Sequence, residues 1–331
     1  MKIKVKTPSR LHFGLIDLNG ELGRINGGLG VALENPGWEI LGSSLDERNF
    51  SNVPTDTKEK ISLIINKFDS VFKTNSKEFT FQINKILPQH KGLGSSTQFS
   101  LAIGTILAKI HQIETSVIEI ANVVNRGGTS GIGVASFEAG GIILDGGHSF
   151  GPGKQTESFL PSSVSQAPPP PIIFRSYPPE EWRFVLFLPK DYQGVSGKSE
   201  VDFFQSKCPI PSQEVEKLSR LILVKILPAI MEKDIQTFGE GITEMQTQFT
   251  KFGMNNYDQG LIHELLNELR NQSEVFGSGI SSFGPTVYAL TDSEVKSNAI
   301  MNDISEIFSA DKFEFMISSK INRTGAKIKT L

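Results

Sequence analysis

The stretch PQHKGLGSSTQFS, Pro88 to Ser100, constrains this chain more tightly than any other. Two glycines and a pair of serines run directly into an apolar pattern. In it, Phe99, Ala102, Ile103, Ile106, Leu107 and Ile110 fall on one helical face. The chain must therefore start a helix on a glycine turn. Backbone amides at a helix start are unpaired, and the helix dipole makes that end electropositive. Glycine lets a phosphate approach the backbone closely, and a serine hydroxyl adds a donor or a magnesium ligand. The turn has neither the Gly-Lys-Ser/Thr of a Walker A loop nor the GxGxxG of a dinucleotide fingerprint. Taken alone, it fits a tight turn with Ser95 or Ser96 as an ordinary helix cap at least as well.

The rest of the chain supplies context. A length of 331 residues implies two domains. The net charge of −3 gives no broad basic field, which argues against nonspecific nucleic-acid binding. Cys208 is the only cysteine, so an intrachain disulfide and a thiolate zinc cage are both excluded. The start MKIKVKTPSRLHFG lacks the apolar core of a signal peptide, and no apolar run approaches the ~18 residues of a membrane span. A cytoplasmic protein with no membrane partner is expected.

Lys2 to Lys6 alternate as a strand, and Leu29 to Leu33 reads as an apolar strand after a glycine-rich run. A helix is predicted over Ser116 to Asn125, with Ser116 and Glu119 at capping-box spacing and Gly127 as its stop. APPPPIIF and SYPPE, within Pro161 to Pro179, favour extended backbone, as in a linker or surface loop. A buried strand follows over Arg183 to Leu188. Helical patterns occupy Ser212 to Lys233, Ile235 to Thr250 and a stretch after Tyr257. A glycine turn then enters a strand at GSGISSFGPTVYAL, before a last helix and a strand near KFEFMISS. Strands and helices mix without regular βαβ alternation, which indicates an α+β fold.

Four blocks are glycine-rich and polar, each beside a predicted strand or helix. They are TPSRLHFGLIDLNGELGRINGGLG, the quoted GLGSST, RGGTSGIG and GSGISSFGPT. In this order they resemble the GHMP superfamily of small-molecule kinases, with Pro88, Gly92, Leu93, Gly94, Ser95 and Ser96 matching its phosphate loop. The resemblance implies a ribosomal-S5-like N-terminal domain and a ferredoxin-like C-terminal domain. The expected division is 1–160, a linker or loop over 161–180, and 181–331.

Two departures separate the chain from the kinases. Arg10 stands where they carry a lysine, and Gly133 stands where they carry an aspartate that orients or deprotonates the acceptor hydroxyl. TPSRLHFGLIDLNGELGR, RGGTSGIGVASFEAGG, LDGGHSFG and SSFGPT are more specific. They resemble the β-ribofuranosylaminobenzene 5′-phosphate synthase family, which has GHMP architecture but transfers a pentosyl group in methanopterin biosynthesis.

That resemblance implies substrates phosphoribosyl pyrophosphate and 4-aminobenzoate or 4-hydroxybenzoate, with magnesium as cofactor. Pyrophosphate and carbon dioxide are the implied leaving products. The attacking atom is a ring carbon, so the missing aspartate is dispensable. An ATP-dependent GHMP kinase and a catalytically silent sensor of a phosphorylated ligand are the alternatives. A homodimer is the assembly considered.

Candidate site residues follow from the blocks. Arg10, His12 and Asp17 are the expected catalytic groups. Gly92, Gly94, Ser95, Ser96, Thr97, Gly128, Thr129, Ser130, Gly131, Gly277 and Gly279 are expected around phosphate. Ser9, Arg24, Arg126, Glu138, Asp145 and His148 are expected around substrate, and Ser95, Ser96 and Glu138 around magnesium. A guanidinium grips phosphate or carboxylate bidentately, although a surface salt bridge is the commoner fate of an arginine. Asp145 reads equally as a turn residue bonding its own backbone. His12 and His148 read equally as packing residues. His90, His111 and His263 carry no expected role, and no zinc spacing such as HExxH occurs.

Overall fold

Alternation decides the first element: in KIKVK the side chains of Ile3 and Val5 are buried while the lysines point outward. The computed structural model describes residues 1–44, 50–51, 55–76, 78–192, 194, 197–251 and 260–331. The first part of the chain contains β1 (Lys2–Lys6), β2 (Ser9–Asp17), β3 (Arg24–Leu33), β4 (Glu39–Ser44), β5 (Phe50–Ser51) and α1 (Thr55–Phe72). It continues with β6 (Phe79–Lys85), α2 (Ser95–Ile110), α3 (Val117–Val123), α4 (Ile132–Ala139), β7 (Ile142–Asp145), β8 (His148–Ser149) and β9 (Ile172–Ser176). The second part begins with β10 (Arg183–Pro189), α5 (Lys198–Lys207) and α6 (Ser212–Leu221). A π-helical turn leads into α7 (Leu227–Glu232), α8 (Ile235–Lys251) and α9 (Leu261–Asn271). The chain ends with β11 (Gly277–Ile280), β12 (Val287–Thr291), α10 (Glu294–Phe308), β13 (Phe313–Lys320) and β14 (Lys327–Thr330). Tyr257, the residue after which a helix was expected, lies outside the described residues, and α9 begins at Leu261.

Three sheets organise these elements. One runs β14–β1–β4–β6–β5, and another runs β2–β3–β7–β9 with β8 on β3. The third, β11–β12–β10–β13, is antiparallel throughout. One face of that third sheet packs Val185, Phe187, Val287 and Ala289 against α9 and α10. Its other face joins the main core, where Phe13 of β2 meets Phe184, Phe238 and Tyr288 at ring-centroid distances of 5.9, 6.2 and 5.4 Å. The core is therefore continuous between the two halves. This is the mixed α+β architecture expected.

Several local features differ from expectation. SRLHFGLID is itself a strand, β2, and β3 starts at Arg24 rather than Leu29. Both strands are buried on two faces, so alternation is lost from their sequences. The Ser116 capping box forms as predicted, but Val124 is the C-cap, so Gly127 does not stop α3. Within the proline-rich segment, β9 pairs with β7. The final strand β14 returns to pair with β1, in a different sheet from β13.

Candidate active site

Helix α2 starts on Gly94, whose φ of 76° is left-handed and which offers no side-chain cap. The first-turn amides of Ser95, Ser96 and Thr97 therefore keep their donors for a ligand. Gly94 is required twice over. A side chain there would adopt a strained φ and would run into Arg10, whose Cγ lies 2.9 Å from the position of an added Cβ. Arg10 in turn lies over the loop, with Nη1 donating to the Gly92 carbonyl.

The second half of the molecule closes this loop from the other side. Ser282 N donates to His12 O at 2.9 Å, and His12 N donates to Ser281 Oγ at 3.0 Å. Ser281 Oγ also donates to Gly92 O, and Thr286 Oγ1 donates to Lys91 O. A cavity of about 190 Å³ results, lined by Arg10, His12, Gly92, Ser96, Arg126, Ser130, Glu200 and Gly284 among others. A second cavity of about 140 Å³ shares Arg10, His12, Ser130, Glu200 and Phe283, and adds Phe13, Leu15 and Phe204. The first is an anion cradle, whereas the second is walled by rings.

The turn before α4 is fixed by Asp145, which is fully buried at the end of β7. Its carboxylate accepts from Gly131 N at 2.9 Å, Gly147 N at 3.0 Å and Ser130 Oγ at 3.2 Å. Burial pushes its pKa up to about 6, against the pull of those hydrogen bonds. Ser130 Oγ also lies 3.0 Å from His12 Nε2. Because the hydroxyl proton goes to Asp145, His12 must present its Nε2–H to Ser130. Burial, with Arg10 beside it, drops the His12 pKa to about 3, so the ring is neutral. Gly28 leaves room for this chain, since an added Cβ would meet His12 Nε2 at 3.0 Å and Asp145 Oδ2 at 3.2 Å. Burial also lowers Arg10 to about 10, so the guanidinium stays charged at neutral pH.

The structure brings together only some of the residues expected from the sequence. Arg10, His12, Gly92, Gly94, Ser95, Ser96, Thr97, Arg126 and Ser130 line the first cavity. Thr129 lines the second, with its hydroxyl committed to Leu160 O. Ser95 Oγ is likewise committed, donating to Leu87 O.

Other candidates are engaged elsewhere. Asp17 accepts from the amides of Asn19 and Gly20, and Arg24 donates to the carbonyls of Gly146 and Gly147. Glu138 pairs with Arg175 at 3.2 Å and is partly exposed. His148 is buried with Nε2 2.8 Å from Pro168 O, and Ser9 is buried in β2. Gly128 packs on Ser165, while Gly131 gives its amide to Asp145.

Gly277 packs against Gly239 of α8 and Gly279 against Gln246, so neither forms part of a phosphate loop. The neighbouring Ser281–Gly284 turn takes that place. The magnesium set Ser95, Ser96 and Glu138 does not converge. No cluster of three or more His, Cys, Asp or Glu side chains suited to a metal occurs among the described residues. At position 133 there is no carboxylate; Gly133 gives its carbonyl to Gln98 Nε2 and lies against Thr97.

Sequence reasoning missed Glu200, Phe204, Ser282 and Phe283. The signal for the last two is the SSFG part of a quoted block, which lines the cavity where Gly277 and Gly279 do not. Glu200 and Phe204 sit in KSEVDFFQSK, a polar segment with no apolar periodicity to mark it as a helix.

Comparison with known proteins identifies the family. The GHMP kinases N terminal domain matches residues 59–141, and GHMP kinases C terminal matches 226–310. A β-ribofuranosylphenol 5′-phosphate synthase of Methanocaldococcus jannaschii is 42% identical, over 98% of this chain and 99% of its own. Another of that name, from Methanothermobacter thermautotrophicus, is 39% identical over 99% of each. The phosphomevalonate kinase of Streptococcus pneumoniae superposes with a TM-score of 0.70 at 15% identity, covering 97% of this chain and all of that one. That likeness speaks for the fold alone. At this identity and full-length coverage, the chain belongs to the β-ribofuranosylphenol 5′-phosphate synthase family of transferases within the GHMP superfamily.

Proposed function

We propose that this protein joins phosphoribosyl pyrophosphate to 4-hydroxybenzoate, releasing pyrophosphate and carbon dioxide. The observation that carries it is the pairing of an anion cradle with a ring-walled cavity through shared Arg10, His12, Ser130 and Glu200. The relatives' name specifies a ribofuranose 5′-phosphate on a phenol, which favours 4-hydroxybenzoate over 4-aminobenzoate.

In this account the diphosphate lies on the α2 amides, where dipole and unpaired donors stabilise the charge that builds as it leaves. The acceptor ring sits among Phe13, Phe204 and Phe283. The ring carbon that bears its carboxylate faces the sugar, with the carboxylate within reach of the Arg10 fork. Attack by that ring carbon and loss of the carboxyl group then give the carbon-linked product. Magnesium is proposed to enter as the counter-ion of the diphosphate, since a magnesium ion commonly takes substrate phosphates and waters with few protein ligands.

Turnover is expected with phosphoribosyl pyrophosphate and without ATP. ADP formation from ATP and a simple alcohol, with no pyrophosphate from the ribosyl donor, would make the protein a kinase instead.

A further inference from the structure

Ribosylation of a phenol poses a proton problem that an aniline does not. When the ring carbon bearing the carboxylate attacks the anomeric carbon, a C–C bond forms and the C–O bond to diphosphate breaks. Positive charge then falls on the para oxygen unless its proton leaves. With that proton gone the intermediate is a neutral dienone. Cleavage of the carboxyl C–C bond returns its electron pair to the ring and leaves a phenolate, which takes the proton back. One group that accepts and then returns a single proton balances the whole sequence. A para amine needs no such group, because its nitrogen lone pair carries the charge as an iminium.

We infer that Glu200 is this proton acceptor, a role that rests on the ribosyl-transfer reading above. Helix α5 sets its carboxylate at the junction of the two cavities, the only carboxylate lining either one among the described residues. Phe204, one helical turn later, forms the ring wall beside it.

The other candidates are spent. Asp145 is behind the cavity and saturated with donors. The His12 ring has its Nε2 on Ser130, and burial makes it too weak a base. Glu200 forms no salt bridge with Arg10, the charged group that faces it most directly. The other titratable groups around it in the first cavity are His12, His90, Lys91 and Arg126, and Lys91 is tied to Tyr192 O and Glu314. Burial raises the Glu200 carboxyl to about 7, with Arg10 opposing the rise. A base at that value is well matched to a proton that must be both taken and returned near neutrality.

The test compares wild type, Glu200→Gln and Glu200→Asp, each with phosphoribosyl pyrophosphate, magnesium and either 4-hydroxybenzoate or 4-aminobenzoate. Glu200→Gln should lower kcat with 4-hydroxybenzoate by ~10²–10⁴-fold, the usual weight of general acid–base catalysis. With 4-aminobenzoate the loss should stay below ~10-fold, since no proton has to move. The deprotonated carboxylate is the working form. Wild-type kcat for the phenol should therefore be level above about pH 7 and fall below it. That acid limb should vanish in Glu200→Gln, and Glu200→Asp should recover part of the rate. If wild type accepts only the phenol, the vanished limb carries the same decision.

Equal losses with both acceptors, or a loss reversed by added magnesium, would overturn the assignment while leaving ribosyl transfer standing. A wild type that turns over neither acceptor overturns both.

Discussion

Asp145 and Glu200 are two carboxylates of one site, the first fully buried behind the cavity and the second half-buried in its wall, and they are treated in opposite ways. Asp145 lies at the end of β7 with two backbone amides and a hydroxyl on its oxygens. Glu200 lies on α5 with no hydrogen bond to its carboxylate among the described residues, and only Arg10 opposes its desolvation. The first is consumed by architecture, holding the turn that aims Ser130 at His12. The second is left over, and withdrawing a carboxylate even partly from water without a donor is costly unless a ligand takes it up. Burial alone therefore does not mark a working group; unspent hydrogen-bonding capacity does.

The contrast is open to direct attack. Asp145→Ala should show the largest effect, because it strands Gly131 N, Gly147 N and Ser130 Oγ in a buried site. At ~1–3 kcal/mol for each unmet donor, the loss should reach at least ~3 kcal/mol and bring activity down with it. A thermal melt beside the same measurement on Glu200→Gln decides the matter. The Gln variant should melt at or above wild type, and equal Tm losses in the two would erase the distinction.

Gly94→Val should come next, weakening donor affinity about 100-fold by closing the backbone approach and displacing Arg10. Titration of the folded variant with phosphoribosyl pyrophosphate checks this, and wild-type affinity would make the loop purely structural.

Arg10→Lys keeps the charge but loses the two-pronged grip. It should cost about 10-fold in kcat/KM, or about 1.4 kcal/mol, with Tm unchanged. Retention of full activity would remove Arg10 from the site.

Glu138→Gln should do least, within ~0.5 kcal/mol in stability and with the same magnesium dependence, because Glu138 is exposed and Arg175 keeps its bonds to the Ala135 and Gly140 carbonyls. A raised magnesium requirement would return Glu138 to the site.

Much of this site was legible because turn chemistry is local. GLGSST announces a helix start on glycine, and Ser116 with Glu119 announces a cap that forms as read. The failures are tertiary. Gly277 and Gly279 look like phosphate glycines, but they serve the close approach of α8 to β11, which sequence cannot tell from anion binding. Asp17 and Arg24 flank the right motif yet spend themselves on nearby loops. Glu200 is far from every motif, and only the packing of α5 across the cleft brings it to Arg10. In the fold, β2 escaped notice because burial on both faces hides its period.

In the proposed function, the phosphate loop shared with the GHMP kinases serves a decarboxylating transfer. The most direct measurement follows carboxyl-labelled 4-hydroxybenzoate incubated with phosphoribosyl pyrophosphate and magnesium in the absence of ATP. The account predicts labelled carbon dioxide and pyrophosphate in equal amounts, with an unlabelled ribosylated phenol as product. Label retained in a ribosylated product, or pyrophosphate released without carbon dioxide, would contradict it.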